Sequence, residues 1–331
     1  MADVTGQREP ERDVGAEWGP AATDAAADRA VGGPSRPAVE REIEGRSQLR
    51  LAFRRFVHHR MALVGLTTFV VLVLVAFIAP YFWNWNYAQI TPQYATGPTL
   101  SHPFGTDTIG HDLFAQVLAA TQTSLKSAFI VTVIATLVGT TVGALAGYYG
   151  KLADAALMRF TDLVLTVPLL AILLVLANTL SKQNGNYLFV AIIVAAVLWT
   201  YLARLVRGTF LSLREADYVL AARAIGSRDA RIIFMHMIPN AFGPIVVNAT
   251  LTVANAILIE SALSFLGLGI QPPEADWGSM LNASRTYMEL GPWLALAPGC
   301  AIMLVVLGFN FLGDGLRDML DPRMRAGGGG I

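Results

Sequence analysis

Four side chains that could bind a metal ion lie within one short run of the sequence, residues 102–112, which reads HPFGTDTIGHD. They are His102, Asp107, His111 and Asp112. Imidazole nitrogens and carboxylate oxygens are common ligands of divalent metals. A metal site is therefore one interpretation of this run.

Other motifs that would indicate catalysis are absent from the sequence. Gly150 and Lys151 are adjacent, but Leu152 follows them and Leu145 occupies the upstream glycine position of a GxxxxGK[ST] phosphate-binding loop. Neither GxSxG nor HExxH occurs. Cys300 is the single cysteine, so no intrachain disulfide or cysteine metal cluster can form. We expect no enzymatic chemistry in this polypeptide and no cofactor bound to it.

A polar and basic segment lies between two long apolar runs, at residues 220–240, with the sequence LAARAIGSRDARIIFMHMIPN. Gly226 would permit a sharp turn, and Pro239 should close the segment, because proline has no backbone N–H for a continuing helix. The small residues that would let a partner approach are Ala221, Ala222 and Ala224, and the charged residues that could align it are Arg223, Arg228, Asp229 and Arg231. We expect this segment to pass a mechanical signal to another subunit.

The composition places the chain in a membrane. Hydrophobic residues make up 54% of the 331 residues and charged residues 15%, against about 25% charged residues in ordinary soluble domains. A helix needs roughly 20 apolar residues to cross a bilayer, and six runs come close to that length. We predict an all-α polytopic membrane protein with six transmembrane helices, near residues 61–80, 127–149, 163–180, 187–206, 241–262 and 292–313.

Basic residues near these spans are distributed unevenly. With a cytoplasmic N-terminus, fourteen Lys and Arg residues flank the spans on the inner side and three on the outer side, namely Lys126, Lys182 and Arg285. Cytoplasmic loops of membrane proteins are enriched in such residues. We therefore expect a plasma-membrane protein with both termini and residues 220–240 in the cytoplasm.

Three regions are expected along the chain. Residues 1–46 are rich in Ala, Gly, Pro and charged residues and should form a disordered cytoplasmic tail. Residues 47–124 should contain an uncleaved anchor helix and an extracytoplasmic segment. Residues 125–331 should form a five-helix core with a cytoplasmic loop at residues 215–240 and a short cytoplasmic C-terminal tail.

Polar residues inside the predicted spans could line a path for a substrate, although hydrogen bonds between helices are an alternative role. They are Asn178, Asn248, Asn255, Glu260 and Asn310. Gly139, Gly143 and Gly147 recur at four-residue spacing and favour close packing of two helices, with a gating surface as the alternative. Asp162 is expected to pair with Arg159, three residues earlier.

Residues 220–240 resemble the EAA loop of binding-protein-dependent ABC importer permeases. The match rests on Ala221, Ala222, Gly226 and Pro239, whereas Leu220 stands where the family often has glutamate. Three further stretches resemble the dipeptide and oligopeptide branch: residues 102–125, where His111 replaces the usual arginine, and residues 264–281 and 310–323. The similarity covers roughly residues 50–325. It also explains residues 102–112 without a metal, so we expect no metal site.

The resemblance implies a fold, partners and a role for these segments. The chain would have the type I ABC importer permease fold and would be the C-type partner of a second permease subunit. Two ATPase subunits would bind ATP and Mg²⁺, an extracytoplasmic binding protein would deliver the substrate, and no nucleic acid would be involved. The ATPases would contact Ala221, Ala222, Arg223, Ala224, Gly226, Arg228, Asp229 and Pro239. The outer loops, residues 81–122 and 263–291, would meet the binding protein, with Trp83, Trp85 and Trp277 as candidate contacts.

Transport of dipeptides or oligopeptides is the function that this resemblance implies. Importers of nickel, haem or glutathione share the permease architecture and are alternatives within the class. Outside it, a secondary transporter would need a deep ion site together with internal repeats, and a channel would conduct without ATP.

Overall fold

The computed structural model describes residues 56–180, 186–289 and 291–320, and this part of the chain is helical apart from loops and two isolated β-bridges. Its α-helices are α1 (Arg60–Ile78), α2 (Leu113–Tyr149), α3 (Lys151–Thr166), α4 (Leu169–Leu180), α5 (Tyr187–Arg214), α6 (Asp217–Ala224), α7 (Asp229–Arg231), α8 (Ile238–Phe265), α9 (Trp277–Ser284) and α10 (Trp293–Leu320). A π-helical stretch, Ile232–Met237, joins α7 to α8 without a break. The predicted tail at residues 1–46 lies outside the described residues.

Five helical stretches of the described chain are long and apolar enough to cross a membrane. They are Arg60–Tyr81, Leu113–Tyr149, Tyr187–Arg214, Asp229–Phe265 and Trp293–Leu320. They overlap five of the six predicted spans, and most extend well beyond the apolar run, because polar residues continue the same helices. The all-α membrane fold is confirmed.

The third predicted span, residues 163–180, is broken rather than straight. α3 and α4 are bent by 83° relative to one another. Pro168 lies at the break, and Val167 before it is extended, with φ −80° and ψ 134°. Proline disfavours helical geometry in the residue that precedes it and cannot donate a backbone hydrogen bond itself. The apolar pattern predicted the span but not its break.

The bent pair nevertheless carries the chain across the bundle. Gly150, just before α3, lies against Arg214 at the C-terminal end of α5. Tyr187, at the N-terminal end of α5, donates its backbone N–H to the Glu274 side chain at 2.9 Å. The chain that contains α3 and α4 therefore starts near one end of α5 and returns at the other, and the bent pair is the candidate for a sixth crossing.

α2 and α5 form the most extensive helix pair of the bundle, and α8 and α10 pack beside them. Gly139, Gly143 and Gly147 all face α5. A Cβ added at Gly139 would lie 2.7 Å from the Trp199 carbonyl oxygen, and one at Gly147 would lie 2.5 Å from the Phe210 Cβ. The glycine spacing thus serves close helix packing, the simpler of the two roles predicted for it.

Two ion pairs connect α3 to α5. Asp154 accepts hydrogen bonds from the guanidinium of Arg207, one of them at 2.6 Å from Nη2. Asp162 accepts from Arg204 Nη2 at 2.6 Å, so its partner is not Arg159 as predicted. The carboxylate is directed at the neighbouring helix rather than along its own, which spacing along one helix could not reveal.

Candidate functional site

The coupling segment, residues 215–240, folds into the short helix α6, a tight turn, and α7 with the π-helical stretch that leads into α8. α6 ends at Ala224, and Gly226 follows with φ +80°. The Ser227 N–H donates to the Ala222 carbonyl and the Gly226 N–H to the Arg223 carbonyl, both at 3.0 Å. These two bonds define a Schellman motif, in which glycine is favoured because its left-handed conformation has no Cβ penalty. The predicted turn at Gly226 is confirmed.

The surface of this segment is open on the side away from the bundle. Seven of the eight predicted contact residues are exposed: Ala221, Arg223, Ala224, Gly226, Arg228, Asp229 and Pro239. Ile225 is 83% exposed and borders a broad groove of about 890 Å³ together with Ala221 and Gly226. Burial raises the pKa of Tyr218, which also borders the groove. An exposed aliphatic side chain beside small residues is suited to contact with another protein.

Ala222 differs from the other predicted contacts. It is 7% exposed and belongs to a buried cluster that includes Val219, Tyr148 and Phe210. The side chain therefore fastens α6 to the bundle and does not face a partner. Helical periodicity accounts for the difference, because Ala221 and Ala222 point about 100° apart around α6.

Tyr148 ties the segment to α2. Its hydroxyl donates to Asp229 Oδ1 at 2.6 Å, and the Arg223 guanidinium lies 5.6 Å from the centre of its ring. Tyr148 is 5% exposed. Sequence reasoning missed this residue, since it lies 81 positions before Asp229 and inside an apolar run. The contact joins two of the predicted coupling residues to a transmembrane helix.

Pro239 does not end the segment as predicted, because the helix runs from Asp229 through to Phe265. The helix accommodates the backbone N–H that Pro239 lacks through the preceding π-helical turn, Ile232–Met237. In an α-helix, Pro239 would leave the Met235 carbonyl without a donor and its ring would clash there. The Asn240 side chain also donates to the His236 carbonyl at 2.6 Å. Proline therefore changes the helix type locally while the helix continues.

The predicted pathway residues are not gathered in one place. Asn248 borders a cavity of about 440 Å³ together with Asp314 and Arg317, Asn255 is exposed and Asn310 is half-buried. The side chain of Asn178 lies outside the described residues. Among the predicted pathway asparagines, Asn248 borders this cavity.

Glu260 does not line a path in this structure. It is 1% exposed, and neither carboxylate oxygen has a hydrogen-bond partner among the described residues. Ser127 of α2 and Asp276 at the start of α9 lie near its carboxylate. α2 and α9 pack against α8 around it, so this side chain belongs to the interior of the bundle.

The four candidate metal ligands separate into two pairs. Asp112 caps α2 by accepting from the Ala115 N–H at 2.9 Å, and it also contacts His102 Nδ1 at 2.8 Å and Trp83 Nε1 at 2.8 Å. Asp107 contacts His111 Nδ1 at 2.9 Å. In the described part of the chain, no group of three or more His, Cys, Asp or Glu residues is arranged to hold a metal ion. The two carboxylates organise the loop before α2.

The three tryptophans proposed as outer contacts have different environments. Trp277 is fully buried at the start of α9, where Asp276 caps the helix through the Gly278 and Ser279 N–H groups. Burial raises the pKa of that Asp276 carboxyl. Trp83 is held by Asp112, and Trp85 stacks against His102 with ring centres 5.1 Å apart. Trp277 is therefore a core residue and not an outer contact.

Two family descriptions match the chain. Residues 139–326 match the binding-protein-dependent transport system inner membrane component. Residues 47–103 match the N-terminal transmembrane domain of oligopeptide transport permease C. The first match contains the coupling segment, and the second contains α1 and most of the outer loop that follows it.

Several named relatives are similar over most of their length. A dipeptide transport system permease protein of Alkalihalophilus pseudofirmus is 42% identical over 296 residues, covering 88% of this chain and 96% of the relative. A putative peptide permease protein of Brucella suis is 41% identical, covering 81% and 89%. An oligopeptide transport system permease protein of Haemophilus influenzae is 38% identical, covering 86% and 92%.

Proposed function

We propose a function for this chain from its family, because it belongs to the binding-protein-dependent transport system inner membrane components. The proposed function is that of a transmembrane subunit of an ATP-driven peptide importer. The peptide cargo is supported by the names of its relatives, which are dipeptide, peptide and oligopeptide permeases. No observation in the described residues favours nickel, haem or glutathione.

The chain would supply half of the translocation pathway, and a second permease subunit would supply the other half. Two cytoplasmic ATPase subunits would bind ATP and Mg²⁺, and an extracytoplasmic binding protein would present the peptide. The excess of Lys and Arg around the coupling segment supports its cytoplasmic orientation, and with it both termini. The catalytic chemistry would then belong to the ATPases.

The observation that carries this proposal is the attachment of the exposed α6 turn to two transmembrane helices. α7 continues through the π-helical stretch into α8, and the Tyr148 to Asp229 hydrogen bond links the same turn to α2. A displacement of α6 would therefore be transmitted to both helices. Nucleotide binding would shift the bundle between inward-facing and outward-facing states to the extent that the ATPases bind nucleotide differently in each.

Reconstitution of the complete complex in proteoliposomes tests the proposal. The binding protein and a labelled dipeptide or oligopeptide are placed on its extracytoplasmic side, and uptake is measured with ATP on the ATPase side. We expect uptake to require ATP, the binding protein and both permeases. Complexes with a hydrolysis-deficient ATPase are the matched control and should show no uptake.

Two outcomes would contradict the proposal. Peptide flux through the purified chain without ATPases would indicate a channel, and uptake that follows an imposed proton or sodium gradient without ATP would indicate a secondary transporter. ATP-driven uptake of nickel, haem or glutathione in place of peptides would retain the class but reject the cargo.

A further inference from the structure

An acidic cavity of about 420 Å³ opens between two segments that lie on the side of the bundle opposite the coupling segment. One wall comes from the loop before α2, including Tyr87, Asp107 and Ile109, and the other from Pro272–Glu274 and α9. Both walls connect transmembrane helices at the same end of the bundle. If the coupling segment faces the cytoplasm, as the proposed function requires, this cavity faces outward.

The ionisable side chains that line this cavity include two carboxylates and one imidazole, that of His111. Its described lining includes the carboxylates of Asp107 and Glu274 and no Lys or Arg. Both oxygens of Asp107 have partners within the chain. Oδ1 accepts from the Ile109 and His111 N–H groups at 2.9 and 2.8 Å, and Oδ2 contacts His111 Nδ1 at 2.9 Å and accepts from Gln116 Nε2 at 3.1 Å. Glu274 accepts from the Tyr187 N–H at 2.9 Å through Oε2. These bonds fix both carboxylates in position. A positively charged group that entered the cavity would therefore meet Glu274 already held in position, with the negative charge of Asp107 nearby.

The rim of the cavity is apolar and exposed. Tyr87 is 39% exposed, Ile109 57% and Tyr287 38%. Apolar and aromatic residues around a charged centre are typical of protein interfaces, where the surrounding contacts exclude water from the central pair. The cavity thus combines charge selection with a surface that another protein can cover.

We propose that this cavity is the docking site for a basic side chain, lysine or arginine, on the extracytoplasmic binding protein. The inference rests on the proposed function and adds a position and a chemistry to the contact with that partner. Trp277, suggested by the sequence as a contact, is buried, whereas Glu274 beside it in the chain faces the cavity. The carboxylates would attract the basic residue, and the apolar rim would stabilise the docked complex.

Binding of the purified, peptide-free binding protein to the complete transporter in nanodiscs tests this inference at low and high ionic strength. Glu274→Gln removes the charge and keeps an oxygen that can accept from Tyr187. We expect its affinity to fall about two- to fivefold at low salt and to match the wild type at high salt, where exposed charges are screened.

A second substitution places a positive charge in the cavity. Ala283 is an exposed residue of the lining, and Ala283→Lys should weaken docking about tenfold or more at low salt through repulsion of the basic side chain. Ala283→Gln has similar bulk without charge and should bind nearly as the wild type does.

The outcomes separate this inference from the proposed function. Wild-type affinity for both Glu274→Gln and Ala283→Lys at low salt would overturn the docking site while leaving an active importer. Unchanged docking with a higher KM for peptides that have a free N-terminal ammonium, but not for N-acetylated peptides, would also overturn it and would indicate a substrate site. A wild-type complex that the binding protein neither binds nor stimulates would refute the proposed function itself.

Discussion

Substitutions at Gly226 should separate the shape of the coupling turn from its contact with a partner. Gly226 has φ +80°, and a Cβ added there would meet no atom of this chain within 4 Å. Gly226→Ala therefore costs only backbone strain, about 1–2 kcal/mol for a non-glycine residue in the left-handed region. That corresponds to a factor of about 5–30 in the population of the native turn.

The series Gly226→Ala, Gly226→Asn and Gly226→Asp distinguishes strain, bulk and charge. Asparagine and aspartate tolerate this conformation better than alanine does, so both should keep the turn while directing a side chain away from the bundle. We expect Gly226→Asp to abolish most peptide uptake and its coupling to ATP hydrolysis, because an uncompensated charge would enter the ATPase contact. Gly226→Asn should lower uptake less than Gly226→Asp does. Gly226→Ala should lower uptake by at most the factor of about 5–30 by which strain reduces the population of the native turn.

The assay is uptake and binding-protein-stimulated ATPase activity of the reconstituted complex, with the amount of co-purified ATPase as a measure of docking. Ser212→Asp is the control. Ser212 is exposed near the end of α5, so this substitution adds the same charge outside the coupling segment. Wild-type uptake and stimulation in Gly226→Asp would refute the docking role of this turn.

Three further predictions concern how the segment and the bundle are held together. Tyr148→Phe removes the 2.6 Å hydrogen bond to Asp229, so the free energy of unfolding should fall by about 1.5–3 kcal/mol and the peptide taken up per ATP hydrolysed should also fall. Thermal unfolding measures the first effect and the uptake assay the second. An unchanged ratio of uptake to ATP hydrolysis would exclude Tyr148 from coupling. Pro239→Ala restores a backbone N–H and should convert the π-helical stretch Ile232–Met237 towards α-helix. Distances between spin labels on α6 and α8 would report this change. Identical distances in the variant and the wild type would show that proline does not cause the π-helical turn. Gly143→Ala introduces a Cβ close to the Ala203 carbonyl and 2.8 Å from Val206 Cβ, so it should destabilise the bundle by about 1–3 kcal/mol. Gly299→Ala is the control: its Cβ would meet no atom within 4 Å, and the thermal unfolding temperature should be nearly unchanged. Equal effects of the two substitutions would contradict the packing argument.

Local features of the fold could be predicted from the sequence because their causes are local. A run of apolar residues long enough to cross the bilayer must form a helix there, since the hydrocarbon offers no partner for backbone groups. Gly226 predicts a turn because few other residues adopt its backbone conformation. The glycine spacing in α2 predicts close packing because it places three residues without side chains on one helix face.

Contacts between distant parts of the chain required the tertiary structure. The partner of Asp162 is Arg204, and Tyr148 binds Asp229, because bundle packing brings together residues 42 and 81 positions apart. Whether Glu260 faces a path or the core likewise depends on the helices that cover it.

Amino-acid order by itself determined the membrane location, the helical class and the position of the coupling turn, since hydrophobic length and glycine geometry act over a few neighbouring residues. Only the tertiary structure decided that Ala222 and Trp277 are buried, that Pro239 lies within a continuing helix, and that Asp107 and Glu274 line one cavity. Burial and the meeting of charges depend on which helix faces lie against each other, and that is a property of the whole bundle.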